Sequence, residues 1–288
     1  MECIDIYIVY YYICTSSVFY NIVCMYQIIA ISNQKGGVGK TTTAMNLAVC
    51  MARQGNQVLL IDLDPQANLT KAWGIAEREH NVYSLILGDI SHEEAMISLT
   101  PHLTPVPQGG LHLLPGSSNF SRYEKLRAGE VNAQFDLKKA LAPVRASFEY
   151  ILLDCPPALG LITVNALACA EQVLVPMEAQ LFAMEGLEGI CETMKKVREF
   201  INPSLALLGV FFVRHNKRNI LNKEVAKFIE EQYAGKLLGT AIRENIALRE
   251  APHKGKDIFS YAPSSNGAKD YASLTQEIID RLCNKEKK

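Results

Sequence analysis

No two of the eight cysteines sit in a C-x-x-C pair, which withdraws the usual support for a zinc ribbon, a thioredoxin-like redox site or a cluster scaffold. The chain has no excess of either charge. Its 29 Lys and Arg against 30 Asp and Glu leave a net −1, which argues against a uniformly basic nucleic-acid binder. It lacks the Gly-Pro bias of a fibre and, at 49% hydrophobic residues, is too apolar for a disordered chain. There is no internal repeat, no long linker and no low-complexity tract after residue 25. Residues 1–24 (MECIDIYIVYYYICTSSVFYNIVC) contain no Lys or Arg, so the positive n-region of a secretory signal is missing, as is its small-residue cleavage site. Asp5, Thr15, Ser16, Ser17 and Asn21 interrupt the run, whereas a membrane span needs about 18 apolar residues. This stretch reads as an extension outside the fold, with a weak membrane anchor or an added strand as the other readings.

What is there is a chain long enough to bury roughly 75% of its unfolded surface. Apolar runs closed by polar or turn residues predict strands at Gln27–Ser32, Gln57–Asp62, Leu111–Leu114, Tyr150–Asp154, Gln172–Pro176, Leu205–Val213 and Lys236–Ala241. Helical spacing predicts helices at Thr41–Gln54, Gly160–Ala170, Ala183–Phe200, Lys223–Tyr233 and Ala268–Cys283. Strands alternating with helices imply an α/β fold: a mostly parallel twisted sheet of about seven strands, covered on both faces. One domain, residues 25–288, is the simplest organisation. The scattered cysteines read as reduced thiols of a cytoplasmic protein.

Between the first strand and the first helix runs Asn33-Gln34-Lys35-Gly36-Gly37-Val38-Gly39-Lys40-Thr41-Thr42. Glycines there let backbone N–H groups turn inward, and a helix N-terminus adds partial positive charge, which together cradle phosphates. Lys40 would reach the β- and γ-phosphates, and the Thr41 hydroxyl would ligate Mg²⁺. Asp62 and Asp64 follow the second strand, and strand alternation points both to one side at its C-terminal edge, where open α/β sheets bind ligands. Asp154 ends the apolar run from Tyr150 and is placed to hold Mg²⁺ through water. Cys155 has no His or Asn placed to make it a nucleophile and reads as a packed thiol. Charge is unevenly spread: residues 1–213 carry 14 Lys and Arg against 20 Asp and Glu (−6), residues 214–288 carry 15 against 10 (+5). That difference predicts a local anion-binding face in the C-terminal quarter.

The loop has Gln34 where a general phosphate loop has its first glycine, and a second lysine, Lys35, five residues before Lys40. The pattern K-G-G-x-G-K-[ST] resembles the deviant Walker A of the ParA/MinD class of P-loop ATPases. Val58–Asn68 (VLLIDLDPQAN), Tyr150–Pro157 (YILLDCPP) and Ala251–Tyr261 (APHKGKDIFSY) are similar, in order, to the motifs of the ParA/Soj partition ATPases, and the resemblance spans about residues 25–283. It implies Mg²⁺-dependent ATP hydrolysis, an ATP-dependent homodimer, activation by a ParB-like protein, and non-specific DNA binding on the nucleoid by the dimer. It implies a nucleotide site at Lys35, Gly36, Gly37, Val38, Gly39, Lys40, Thr41 and Thr42, with Asp64 positioning the attacking water. It implies that Asp62 supports either the Mg²⁺ shell or the switch backbone beside Thr41 and Asp154, and that Lys35 enters the partner's site. Adenine is expected near Phe212–Asn216 and Ile242–Ile246. Arg218 matches a family basic position. Two family arginine positions hold Glu244 and Ala247, and Arg243 and Arg249 lie one residue before and two after them as the substitute DNA contacts. The alternatives are another ParA-type cargo-positioning ATPase and a MinD-like membrane ATPase. The latter would need a basic amphipathic helix beyond the fold, whereas Tyr271, Leu274, Ile278 and Leu282 make the last helix core-facing and only Asn284–Lys288 follow.

Overall fold

The computed structural model describes residues 26–103, 105–127, 129–180, 183–215 and 220–285, so the N-terminal extension lies outside the described residues. The strands are β1 (Gln27–Ile31), β2 (Val58–Asp62), β3 (Ile97–Ser98), β4 (Leu111–Leu114), β5 (Tyr150–Asp154), β6 (Gln172–Met177) and β7 (Ala206–Phe212). They form one seven-stranded sheet in the order β3-β4-β2-β5-β1-β6-β7. All neighbours are parallel except β3 with β4. The site is framed by helices α1 (Lys40–Arg53), α2 (Asn68–Ala72), α3 (Leu161–Cys169), α4 (Ala183–Phe200), α5 (Ile220–Gln232), α6 (Ile246–His253) and α7 (Asn266–Lys285).

The strand runs are apolar in both side-chain directions because helices cover both faces of the sheet. Alternate residues feed two cores. Ile28, Ala30, Leu59, Ile61, Ile151 and Leu153 enter one, with Ala166 of α3 and Leu187 and Ile190 of α4. Ile29, Ile31, Leu60 and Leu152 enter the other, with Leu47, Ala48 and Met51 of α1. There α7 spends its whole apolar stripe: Tyr271, Leu274, Ile278 and Leu282 are all buried. Each such side chain contributes about 1.5–3 kcal/mol through burial, so the stripe belongs to the core. Among the described residues no helix is long and apolar enough to cross a membrane.

The expected strand Lys236–Ala241 does not form. Lys236 O accepts from Val210 N (2.8 Å) and Leu238 N donates to Val210 O (2.8 Å), but the ladder breaks there and resumes only at Ile242, whose N donates to Phe212 O (2.8 Å). The Glu277 carboxylate takes the next two donors, Gly239 N and Thr240 N, both at 2.8 Å. Only isolated bridges, Val210 to Leu237 and His215 to Arg243, remain. The seventh strand is instead β3, whose two residues are too short to show a period.

Register brings the site together. Asp62 at the end of β2 is level with Asp154 at the end of β5, and Asp154 is level with Ile31 at the end of β1. Three strand C-termini therefore meet along one edge of the sheet, in the position where ligands enter such folds.

Candidate functional site

At that edge Asn33–Gly39 carries the chain from β1 into α1. Gly37 (φ 75°) and Gly39 (φ 76°) lie in the left-handed region, which glycine enters without steric cost. Gly39 caps α1, whose first turn contains no acid, so the positive end of the helix is left to an anion. Val38 turns inward and is buried, pinning the loop to the core. Lys40 is also buried and its Nζ donates to Lys35 O at 3.1 Å. Burial lowers the Lys40 ammonium from its ordinary value, opposed by the charge of Asp154.

Thr41 Oγ1 donates to Asp154 Oδ2 at 2.7 Å. The other oxygen of Asp154 is buried with no hydrogen-bond partner. Burial, and next the neighbouring Asp62 carboxylate, push Asp154 well above the usual carboxylate range. A buried acceptor without a donor, beside a second carboxylate and a threonine hydroxyl, is a donor set that fits a hard divalent cation such as Mg²⁺.

Asp62 is fully buried and committed to donors of the segment after β2. Its Oδ1 accepts from Asp64 N (3.2 Å), and its Oδ2 accepts from Thr70 N (2.8 Å) and Thr70 Oγ1 (2.7 Å). Burial raises it to about 6 despite these donors. Of the two roles open from sequence, the geometry is that of an anchor for the segment after β2. Thr70 Oγ1 in turn accepts from Gly116 N at 2.8 Å. A Cβ on Gly116 would come within 2.7 Å of Asp62 Cγ, so only glycine allows that approach. Asp64, half-buried, accepts from Gln66 N at 2.9 Å. Asp64 lines a cleft of about 340 Å³ together with Gly36, Gly37, Gly39, Lys40, Thr41 and Thr42. Cys155 is enclosed and burial pushes its thiol up, as a packed rather than reactive cysteine requires.

A family profile described as an AAA domain matches residues 26–207. The chromosome-partitioning ATPase Soj of Thermus thermophilus is 40% identical over 254 residues, 88% of this chain and 96% of that protein. The chromosome partitioning protein ParA of Caulobacter vibrioides is 36% identical over 259 residues, 88% of this chain and 94% of that protein. A cobyrinic acid a,c-diamide synthase from Mycobacterium smegmatis, solved with bound ATP analog and magnesium, superposes with a TM-score of 0.74 at 28% identity, covering 88% of this chain and 94% of that one.

The chain belongs to the ParA/Soj family of partitioning ATPases.

Within this ParA/Soj fold the remaining sequence-predicted residues divide between the cleft, a cavity beside it and the outer surface. Lys35 is half-buried, and its Nζ donates to Gln180 Oε1 of its own chain. Beside the cleft a smaller cavity of about 70 Å³ is lined by Val213, Arg214, Ile242, Glu244 and Asn245 with Gly39 and Thr42, so the two segments expected to meet adenine converge there. Arg214 lines both cavities, has a left-handed backbone (φ 50°) and pairs with Glu178 at 3.2 Å. Arg243 is held by Asp270, with Nη2 donating to Oδ1 at 2.6 Å and Nε to Oδ2 at 3.0 Å. Arg249 pairs with Glu244 at 3.1 Å, both exposed. Arg218 and Lys217 lie outside the described residues.

Helix α1 ties this C-terminal region to the phosphate loop. Thr43 Oγ1 and Tyr271 OH are 3.2 Å apart, Asn46 Oδ1 accepts from Ile258 N at 2.9 Å, and Arg53 Nη2 donates to Ser260 Oγ at 3.1 Å. Sequence reasoning missed Thr70, Gly116 and Gln180. None carries a motif, because each matters through a partner brought by the tertiary fold.

Proposed function

We propose that this ParA/Soj ATPase hydrolyses Mg·ATP as a homodimeric switch that binds DNA non-specifically and is stimulated by a ParB-like protein, in the cytoplasm on the nucleoid. The observation that carries the reading is one glycine-lined cleft shared by Lys40, Thr41 and Asp64, with Thr41 bonded to Asp154. The loop amides and Lys40 bind the phosphates, and Val213, Ile242 and Asn245 offer the base a place. Asp64 orients the attacking water. Thr41 and Asp154 would hold Mg²⁺, which supplies charge neutralisation on the phosphates when bound. Lys35 acts on the partner's nucleotide, a cation supplied in trans, which for arginine fingers is worth roughly 10³–10⁵ in rate. The 40% identity to a Soj protein, against 28% to the diamide synthase, favours partitioning over amide synthesis.

DNA contact is assigned to the C-terminal face, where Lys223, Lys227, Lys254 and Lys256 are exposed alongside Arg249 and the sequence position Arg218. Arg243 contributes least, since Asp270 already neutralises it. Dimerisation doubles the phosphate contacts on one surface, so affinity should require ATP and fall with salt at a log–log slope of about −0.9 per phosphate contacted. The test pairs two variants. Lys40→Ala should lose Mg·ATP binding, whereas Asp64→Ala should bind ATP, accumulate as a dimer and retain random duplex DNA. Asp64→Ala remaining monomeric in excess ATP rejects the switch. DNA binding without ATP, or none at low salt, removes DNA from the mechanism.

A further inference from the structure

The limb of the phosphate loop that carries Lys35 is braced by β6 and the residues after it. Asn33 Nδ2 donates to Pro176 O (2.8 Å), Asn33 Oδ1 accepts from Lys35 N (3.0 Å), and Lys35 Nζ donates to Gln180 Oε1. Helix α4 closes on the same limb. A Cβ at Gly186 would come within 3.0 Å of Asn33 Oδ1, and one at Gly189 within 2.4 Å of Gln34 Oε1. The two glycines, one helical turn apart, let the helix lie against the loop. Glu178, the nearest acid on this segment, is engaged by Arg214 at 3.2 Å, which leaves the Lys35 ammonium to a neutral amide.

We propose that Gln180 is a latch on Lys35: its side-chain carbonyl keeps the ammonium on its own subunit, and the ATP-bound dimer assembles from chains in which that contact has opened. The proposal rests on the in-trans role given to Lys35 above. In this reading the ammonium leaves Gln180 of its own chain to reach a phosphate of the partner, so the intrachain contact and the in-trans contact compete. A neutral amide suits such a device, because it holds the charge more weakly than a carboxylate would and so lets go. The effect is amplified by symmetry. If the latch is closed in about nine chains of ten, the competent fraction is about one tenth. A two-fold dimer needs two such chains, so its apparent dissociation constant rises about a hundredfold.

The experiment measures the ATP- and Mg²⁺-dependent dimer dissociation constant by sedimentation, on the full chain carrying Asp64→Ala. Gln180→Ala should tighten the dimer by about 10- to 100-fold. Gln180→Glu should loosen it by a similar factor, and salt should relieve that loss by screening the new ion pair. Both effects should vanish in a Lys35→Ala background, where nothing is left to hold. With Asp64 intact, Gln180→Ala should lower the protein concentration for half-maximal turnover while keeping kcat at saturating protein within about twofold. A general structural lesion would not produce that split, and unchanged ATP affinity in each variant checks folding. A dimer no tighter in Gln180→Ala than in the native chain overturns the latch while leaving the in-trans role standing. Native dimerisation and turnover in Lys35→Ala overturn both.

Discussion

Replacing Thr70 by valine keeps the shape of a buried side chain and deletes one oxygen that serves two partners. Thr70 Oγ1 donates to Asp62 Oδ2 at 2.7 Å and accepts from Gly116 N at 2.8 Å. Thr70 is 1% exposed and Asp62 0%, so water cannot replace the lost contacts. A hydrogen bond to a charged group contributes about 1.5–3 kcal/mol, and a stranded buried amide costs about 1–3 kcal/mol. Asp62 keeps Thr70 N and Asp64 N as donors, so the combined loss should be about 3 kcal/mol. For a domain of this size that lowers Tm by roughly 6–12 °C. The fall should be smaller at pH 5, where Asp62, raised to about 6, is mostly protonated. Melting followed by fluorescence reads this directly, because Trp73 is the only tryptophan in the chain and sits just after α2. Since Asp62 also holds Asp64 N, the variant should lose at least about tenfold in kcat while keeping its affinity for ATP. A melting temperature within about 1 °C of the native protein, with unchanged kcat, would refute the anchor.

Burial holds the folded-state Asp62 at about 6, above its ordinary 3.8, so protonated Asp62 stabilises the fold below about pH 4, and that contribution is lost as pH rises through about 6. The change is about 3 kcal/mol at 1.36 kcal/mol per pKa unit; in EDTA, the urea midpoint of Asp62→Asn should lack this downward component relative to the native chain, and parallel pH profiles would reject it. The Cys155 thiol is enclosed and pushed up, so N-ethylmaleimide at pH 7.5 should label it only after denaturation, and Cys155→Ala should keep kcat within about threefold; a tenfold loss with intact ATP binding would restore a chemical role. A chain beginning at Met25 should bind ATP and melt within about 4 °C of the full chain, a larger drop meaning that residues 1–24 pack on the core.

Local signals in the sequence determined the sheet and the loop. An apolar run such as Tyr150–Asp154 needs only its own residues to read as a covered strand, and β4 and β5 begin and end where the run does. The loop was legible because Gly37 and Gly39 answer a backbone requirement at their own positions. Asp62 and Asp154 were legible as carboxylates at one edge of the sheet because a strand's C-terminal end is a place that sequence can mark. What the tertiary structure alone decided is which side chain meets which. Glu277 ends the expected strand at Gly239 from 38 residues away, Thr70 joins Asp62 to Gly116 across 46, and Gln180 takes Lys35 across 145. Arg243, read from sequence as a substitute DNA contact, meets Asp270 at 2.6 Å. Periodicity reports whether a residue faces in or out, but these pairings depend on the order in which distant strands enter the sheet and on the register of one helix against another, and no local pattern encodes either.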